Sequence, residues 1–114
     1  MKRFIFITTQ FEALHRYKKA PEEVYYLSNL HRHKFHVKVI MEVFANDREI
    51  EFIIFQHNIN DFIDLNIDKV TDDSCETMAE KIYMYVKNKY GLNRSVKVEL
   101  SEDNENGAIF GDII

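Results

Sequence analysis

His31 and His33 flank Arg32 at the head of an alternating run, Lys34-Phe35-His36-Val37-Lys38-Val39-Ile40-Met41-Glu42-Val43. Side chains two apart on a β-strand leave the same face. If the strand begins at His31, the two imidazoles stand side by side. Two neutral imidazoles held that way are half of a zinc site. A third donor would complete a centre with one position left for water or substrate. His15, in Phe11-Glu12-Ala13-Leu14-His15, is the candidate third donor. Histidines spaced by one also occur as ordinary surface residues, so the pair carries weight only if a third ligand joins it. His36 falls on the polar face of the same strand, and His57 has no evident partner.

Other residues could carry chemistry. Cys75 opens a helical stretch, where a thiolate is favoured, but it also begins that helix's apolar stripe, and the reading as a small buried hydrophobe is preferred. Glu99 shares a strand face with Lys97, which is the pattern of a solvated face. A carboxylate at a strand end can also take a guanidine-like ring edge through two parallel hydrogen bonds. Asp61 is either an orienting carboxylate or a turn residue. Glu22 and Glu23 sit in the loop before His31.

The elements that would position these groups follow from periodicity. Residues 2–9, rich in Phe and Ile, read as a first strand. Residues 10–30 carry no clean period; Pro21 interrupts them, and residues 22–26 suit a short helical turn. Residues 31–45 are the strongest strand, with Phe35, Val37, Val39, Met41 and Val43 on one face. Asn46-Asp47 is a turn signal. It leads into residues 49–55, read as an antiparallel return strand or a strand running into a helix. Residues 57–70 are mixed. Residues 74–90 form the clearest helix, with Asp73 as N-cap, Glu76 completing a capping box, and Gly91 at the C′ position. Residues 95–100 and 108–114 read as two further strands about a turn at 104–107. Two or three strands, a helix and two strands indicate an α+β fold with an antiparallel sheet.

The 114 residues suit a single domain spanning 1–114. A net charge of −4 lacks the basic excess of nucleic-acid binders, although Arg16, Lys18 and Lys19 could form a local basic pocket for an anionic substrate. Cys75 is the single cysteine, so no internal disulfide forms. No apolar run approaches the roughly 20 residues of a membrane span, and the apolar stretch after Met1 is too short for a signal-peptide core. These features predict a cytoplasmic protein in a reducing compartment, with no nucleic-acid or membrane partner.

Phe11-Glu12-Ala13-Leu14-His15 and Leu30-His31-Arg32-His33-Lys34-Phe35 resemble the FEAAH and LHGH segments of the 6-pyruvoyltetrahydropterin synthases and the bacterial 6-carboxytetrahydropterin synthases. Glu51-Phe52, Asp61-Phe62-Ile63-Asp64-Leu65-Asn66, Ser74-Cys75-Glu76-Thr77-Met78-Ala79 and Val98-Glu99-Leu100 resemble later motifs of that family in the same order. The resemblance implies a tunnelling fold: an antiparallel four-stranded sheet with two helices packed on one face. It implies barrels of three subunits, stacked as hexamers. It implies Zn²⁺ on His15, His31 and His33, and Glu99 gripping a pterin ring. The family substrate is 7,8-dihydroneopterin triphosphate, and the expected reaction is a carbon–oxygen lyase step of pterin or queuosine-precursor biosynthesis, without redox change.

The chain departs from the family at the proton carriers. Leu27 stands where the family has a cysteine base, four residues before His31. Phe62 replaces the histidine of the family's Asp-His pair, and Arg32 replaces the glycine between the metal histidines. Loss of such a proton carrier typically costs about 10²–10⁴ in rate. Asp61, and Glu23 as a glutamate substituting for the cysteine, are the remaining candidate catalytic residues. The alternative expectations are a weakened homologue that binds zinc and a pterin- or purine-like ligand, and an oligomeric scaffold.

Overall fold

A computed structural model describes residues 1–113. The architecture is α+β. The elements run β1 (Arg3–His15), a 3₁₀ helix (Glu22–Ser28), β2 (His31–Val43), α1 (Phe52–Asn66), β3 (Val70–Thr71), α2 (Cys75–Tyr90), β4 (Val96–Glu102) and β5 (Asn106–Gly111). They build one mixed sheet in the order β3-β1-β2-β4-β5. β1, β2, β4 and β5 pair antiparallel, while β3 lies parallel to β1.

The β1–β2 ladder is the spine. Its register runs from Arg3↔Val43 to His15↔His31. Strict alternation sends Phe35, Val37, Val39 and Met41 into the core, where each is almost fully buried. α1 lies over β1, and α2 over β4 and β5, so both helices cover the same face. Phe55, Ile59 and Ile63 of α1 meet Met78, Ala79, Ile82 and Val86 of α2 there. The opposite face carries Phe4, Phe6 and Ile109 in the open.

Several details differ from the sequence-based expectation. The sheet has five strands rather than four, and it is not wholly antiparallel. β3 is only a dipeptide, too short to show periodicity, and it is held by the Leu14 N–H donating to the Lys69 carbonyl (2.8 Å). The first strand does not end at residue 9 but continues to His15, because β2 offers a thirteen-residue edge to pair with.

Residues 49–55 do not return as a strand. Asp47 and Arg48 take positive φ, and Phe52 then starts α1 with the Glu51 carboxylate capping Ile53 N–H. Phe52, Ile53 and Ile54 stay exposed while Phe55 is buried. β-favouring residue types were overridden by tertiary packing of a single helical stripe.

α2 matches its expected span and stripe, but Ser74 rather than Asp73 caps it, its hydroxyl accepting from Thr77 N–H (3.1 Å). Gly91 ends it at φ 128°, a conformation other residues rarely adopt. The last strand runs from 106 to 111 rather than from 108; Ile114 of the expected strand lies outside the described residues. No helix among the described residues is long and apolar enough to cross a membrane.

Candidate metal centre

His15 ends β1 and His31 begins β2, directly opposite each other in the ladder. His33 follows on the same face. The register therefore gathers three imidazoles at one end of the sheet, with ring centroids 4.6–6.1 Å apart. One ring nitrogen from each lies within 4.8 Å of the others. Phe35 forms the floor, edge-on to His15 and His33, and stacks in turn on Phe11.

The hydrogen bonds assign the tautomers. His15 Nε2 is 2.7 Å from the Asp73 carbonyl, His31 Nδ1 is 2.8 Å from the Asn29 carbonyl, and His33 Nδ1 is 2.7 Å from Asp103 Oδ2. Each partner is an oxygen that can only accept, so each of these nitrogens donates. In the neutral rings the lone pairs then sit on His15 Nδ1, His31 Nε2 and His33 Nε2. His15 Nδ1 and His33 Nε2 are buried and have no hydrogen-bond partner. Buried polar atoms are rarely left unpaired. Metal-bound histidines commonly donate their second nitrogen to a carbonyl or carboxylate, as all three do here.

Asp103 is itself held in place by Lys34. Its backbone N–H donates to the Lys34 carbonyl (2.8 Å), and its side chain accepts from Lys34 N–H (3.0 Å). The Lys34 amide and then the His33 N–H hold its carboxyl below the usual carboxylate range. β3 supports His15: its pairing with β1 brings residues 71–73 alongside, and the Asp73 carbonyl with them.

A cleft of about 620 Å³ opens beside the histidines. It is lined by His15, His31, Leu27, Cys75, Glu102 and the start of α2, among others. Glu102 is the residue that sequence reasoning missed. Its two oxygens lie 3.5 Å from His15 Nδ1 and 3.3 Å from His33 Nε2. Parity carries the signal: Glu102 continues the face of Val96, Val98 and Leu100, which is the face of the histidines. Cys75 donates weakly to Glu102 across 3.9 Å. Burial, and then the nearby Glu102 charge, push its thiol up to about 12. It is a protonated thiol in the cleft wall rather than a thiolate.

The other candidate residues lie elsewhere. Glu99 faces the opposite side of the sheet, in a second cleft of about 780 Å³ with His36 and Lys38. Asp61 is exposed on α1, and Glu23 is exposed on the 3₁₀ helix; neither lines the histidine cleft. Phe62 stacks on Tyr85 at 4.5 Å in the packing beneath α1. Leu27 does line the cleft, held where its carbonyl accepts from Tyr17 N–H (2.7 Å). The basic pocket is not free: Arg16 and Lys18 both pair with Asp72, at 2.7 and 3.0 Å. The Arg16 hydrogen bond, with Lys18 behind it, keeps the Asp72 carboxyl low. With Asp72, Asp73, Glu76 and Glu102 around it, the cleft suits a cation or a guanidine-like edge better than a free anion.

No protein-family model matches the chain, and no curated protein matches it at a significant level.

Proposed function

We propose that this chain is a zinc protein of the 6-pyruvoyltetrahydropterin and 6-carboxytetrahydropterin synthase type, and that it takes a pterin-like ring in the cleft beside His15, His31 and His33. One observation carries the reading. Three lone-pair nitrogens converge, each on an imidazole whose other nitrogen is tied to a fixed oxygen, and two of the three are buried without a partner. An all-imidazole set is well suited to zinc, which prefers nitrogen donors in tetrahedral array.

A zinc ion held there would polarise a substrate hydroxyl or carbonyl. The chain's own residues would do the rest. Asp103 and the Asp73 and Asn29 carbonyls keep the imidazoles aimed. Phe35 and Phe11 exclude water from beneath. Glu102 takes the part that the resemblance gives to Glu99, because it is the cleft carboxylate that stands beside His15 and His33. It can accept two parallel hydrogen bonds from a guanidine-like ring edge.

The edges of the sheet support an oligomer of the family's barrel type. β5 has no further neighbour among the described residues, and β3 covers β1 only at Leu14 and His15. Unpaired edges of this length are templates for pairing with another chain.

Leu27 favours a second reading, in which the protein binds zinc and a pterin- or purine-like ligand with little turnover. It places hydrocarbon in the cleft wall where a proton carrier would be needed, and Phe62 is occupied in packing against Tyr85. Metal analysis and turnover of 7,8-dihydroneopterin triphosphate test both. One zinc per chain, lost in His33→Ala, supports the centre; absence of stoichiometric metal overturns it. Turnover that rises at least tenfold in Leu27→Cys supports the synthase, whereas ligand binding without turnover in either form supports the second reading.

A further inference from the structure

We propose that Glu102 is a fourth protein ligand of the metal centre, closing it until a substrate oxygen displaces the carboxylate. The inference rests on the three-histidine metal reading above and extends it.

Ligand atoms bound at about 2.0–2.1 Å in a tetrahedron lie roughly 3.3–3.4 Å from one another. The Glu102 oxygens already stand at 3.3 Å from His33 Nε2 and 3.5 Å from His15 Nδ1. These are the spacings of neighbouring ligands around one ion. They are not hydrogen bonds. His15 Nδ1 and His33 Nε2 are buried without a hydrogen-bond partner, and in the neutral rings that donate to Asp103 and to the Asp73 carbonyl these nitrogens present lone pairs. Lone pairs facing a carboxylate repel. A cation at their common focus turns the repulsion into four bonds.

The backbone fixes this placement. Glu102 is the register partner of Phe35 on the adjacent strand, so it stands beside the floor of the histidine cluster. Its side chain remains about one-third exposed, which leaves it free to swing toward the cleft. Cys75 approaches Oε1 and steadies the carboxylate from the α2 side. In the resting protein Glu102 would occupy the position that an open catalytic centre leaves to water. A ligand bearing an oxygen for the metal and a guanidine-like edge would displace the carboxylate and then hydrogen-bond to it.

Cobalt substitution tests the assignment without relying on activity. Wild type, Glu102→Gln and Glu102→Asp are loaded with Co²⁺, and visible spectra are recorded with and without azide. Zinc affinity is measured by chelator competition. Glu102→Gln is isosteric and keeps the fold, and Glu102→Asp keeps the charge on a shorter arm. If Glu102 is a ligand, the wild-type spectrum is intense, tetrahedral and little changed by azide. Glu102→Gln then binds zinc at least about tenfold more weakly, and its cobalt spectrum shifts with azide. Equal zinc affinity and equal azide response in wild type and Glu102→Gln would overturn the fourth ligand while leaving the three-histidine centre intact. A wild type that takes up no metal overturns both.

Discussion

Asp103 is the most exacting test of how the centre is built. The three histidines are each aimed by one hydrogen bond, but two of these end on backbone carbonyls, those of Asp73 and Asn29, which no side-chain substitution removes. Only His33 is aimed by a side chain, through Asp103 Oδ2 at 2.7 Å. Asp103→Ala therefore deletes one of three orienting contacts and leaves all three histidines in the chain. Removing such an outer partner typically costs about 10–100-fold in metal affinity. At free zinc ten times the wild-type Kd, the wild type is about 91% occupied and the variant about 50% down to 9% by mass action. Chelator competition on the full chain reads this directly. Asp103→Asn keeps an acceptor oxygen and should lose less than Asp103→Ala. Because Asp103 also accepts from the Lys34 amide, the metal-free variants are checked by thermal melting to confirm that the β4–β5 turn is intact. Zinc affinity within twofold of wild type in a folded Asp103→Ala protein would refute the claim that this contact orients His33.

Two further outcomes are expected. Cys75, pushed up to about 12 from an ordinary 9, has about a thousandfold smaller thiolate fraction at pH 7. Its alkylation by iodoacetamide in the metal-free native protein should be slower than in urea by at least that factor, and comparable rates would contradict its burial beside Glu102. Glu49, hydrogen-bonded to Arg94, is held at about 2, below its ordinary 4.5. A lowered carboxylate contributes stability that is present above about pH 4.5 and is lost as pH falls through about 2. Urea midpoints across that window should therefore fall less steeply in Glu49→Gln than in wild type; superimposable acid limbs would rule out the Glu49–Arg94 contribution.

The legibility of the fold depended on how much of each element's pattern was local. β2 and α2 could be read because their apolar residues repeat at periods of two and of three to four, and the burial follows those repeats. α1 could not, because Phe52-Ile53-Ile54-Phe55 has no helical period of its own; only packing of Phe55, Ile59 and Ile63 against the sheet selects the helix. β3 carries two residues and no pattern at all, yet it braces His15.

The same division holds at the site. His15, His31 and His33 were legible, the pair from strand parity and the third from its motif. Asp61, Glu23 and Glu99 were reasonable by residue type, but two lie on exposed helical surface and one on the other face of the sheet. Glu102 was within reach of parity counting from Leu100, but its meaning was not, since it depends on which strand lies next to β4. Sequence alone determined which residues could bind a metal and that two of them share a face, because alternation along a strand is a property of the backbone. Tertiary structure alone decided that His15 meets them, which nitrogen each ring presents, and that Glu102 and Cys75 complete the wall. Those outcomes depend on strand register, on the Asp73 carbonyl and on the Asp103 carboxylate, contacts that are remote in sequence and are fixed only when the chain has packed.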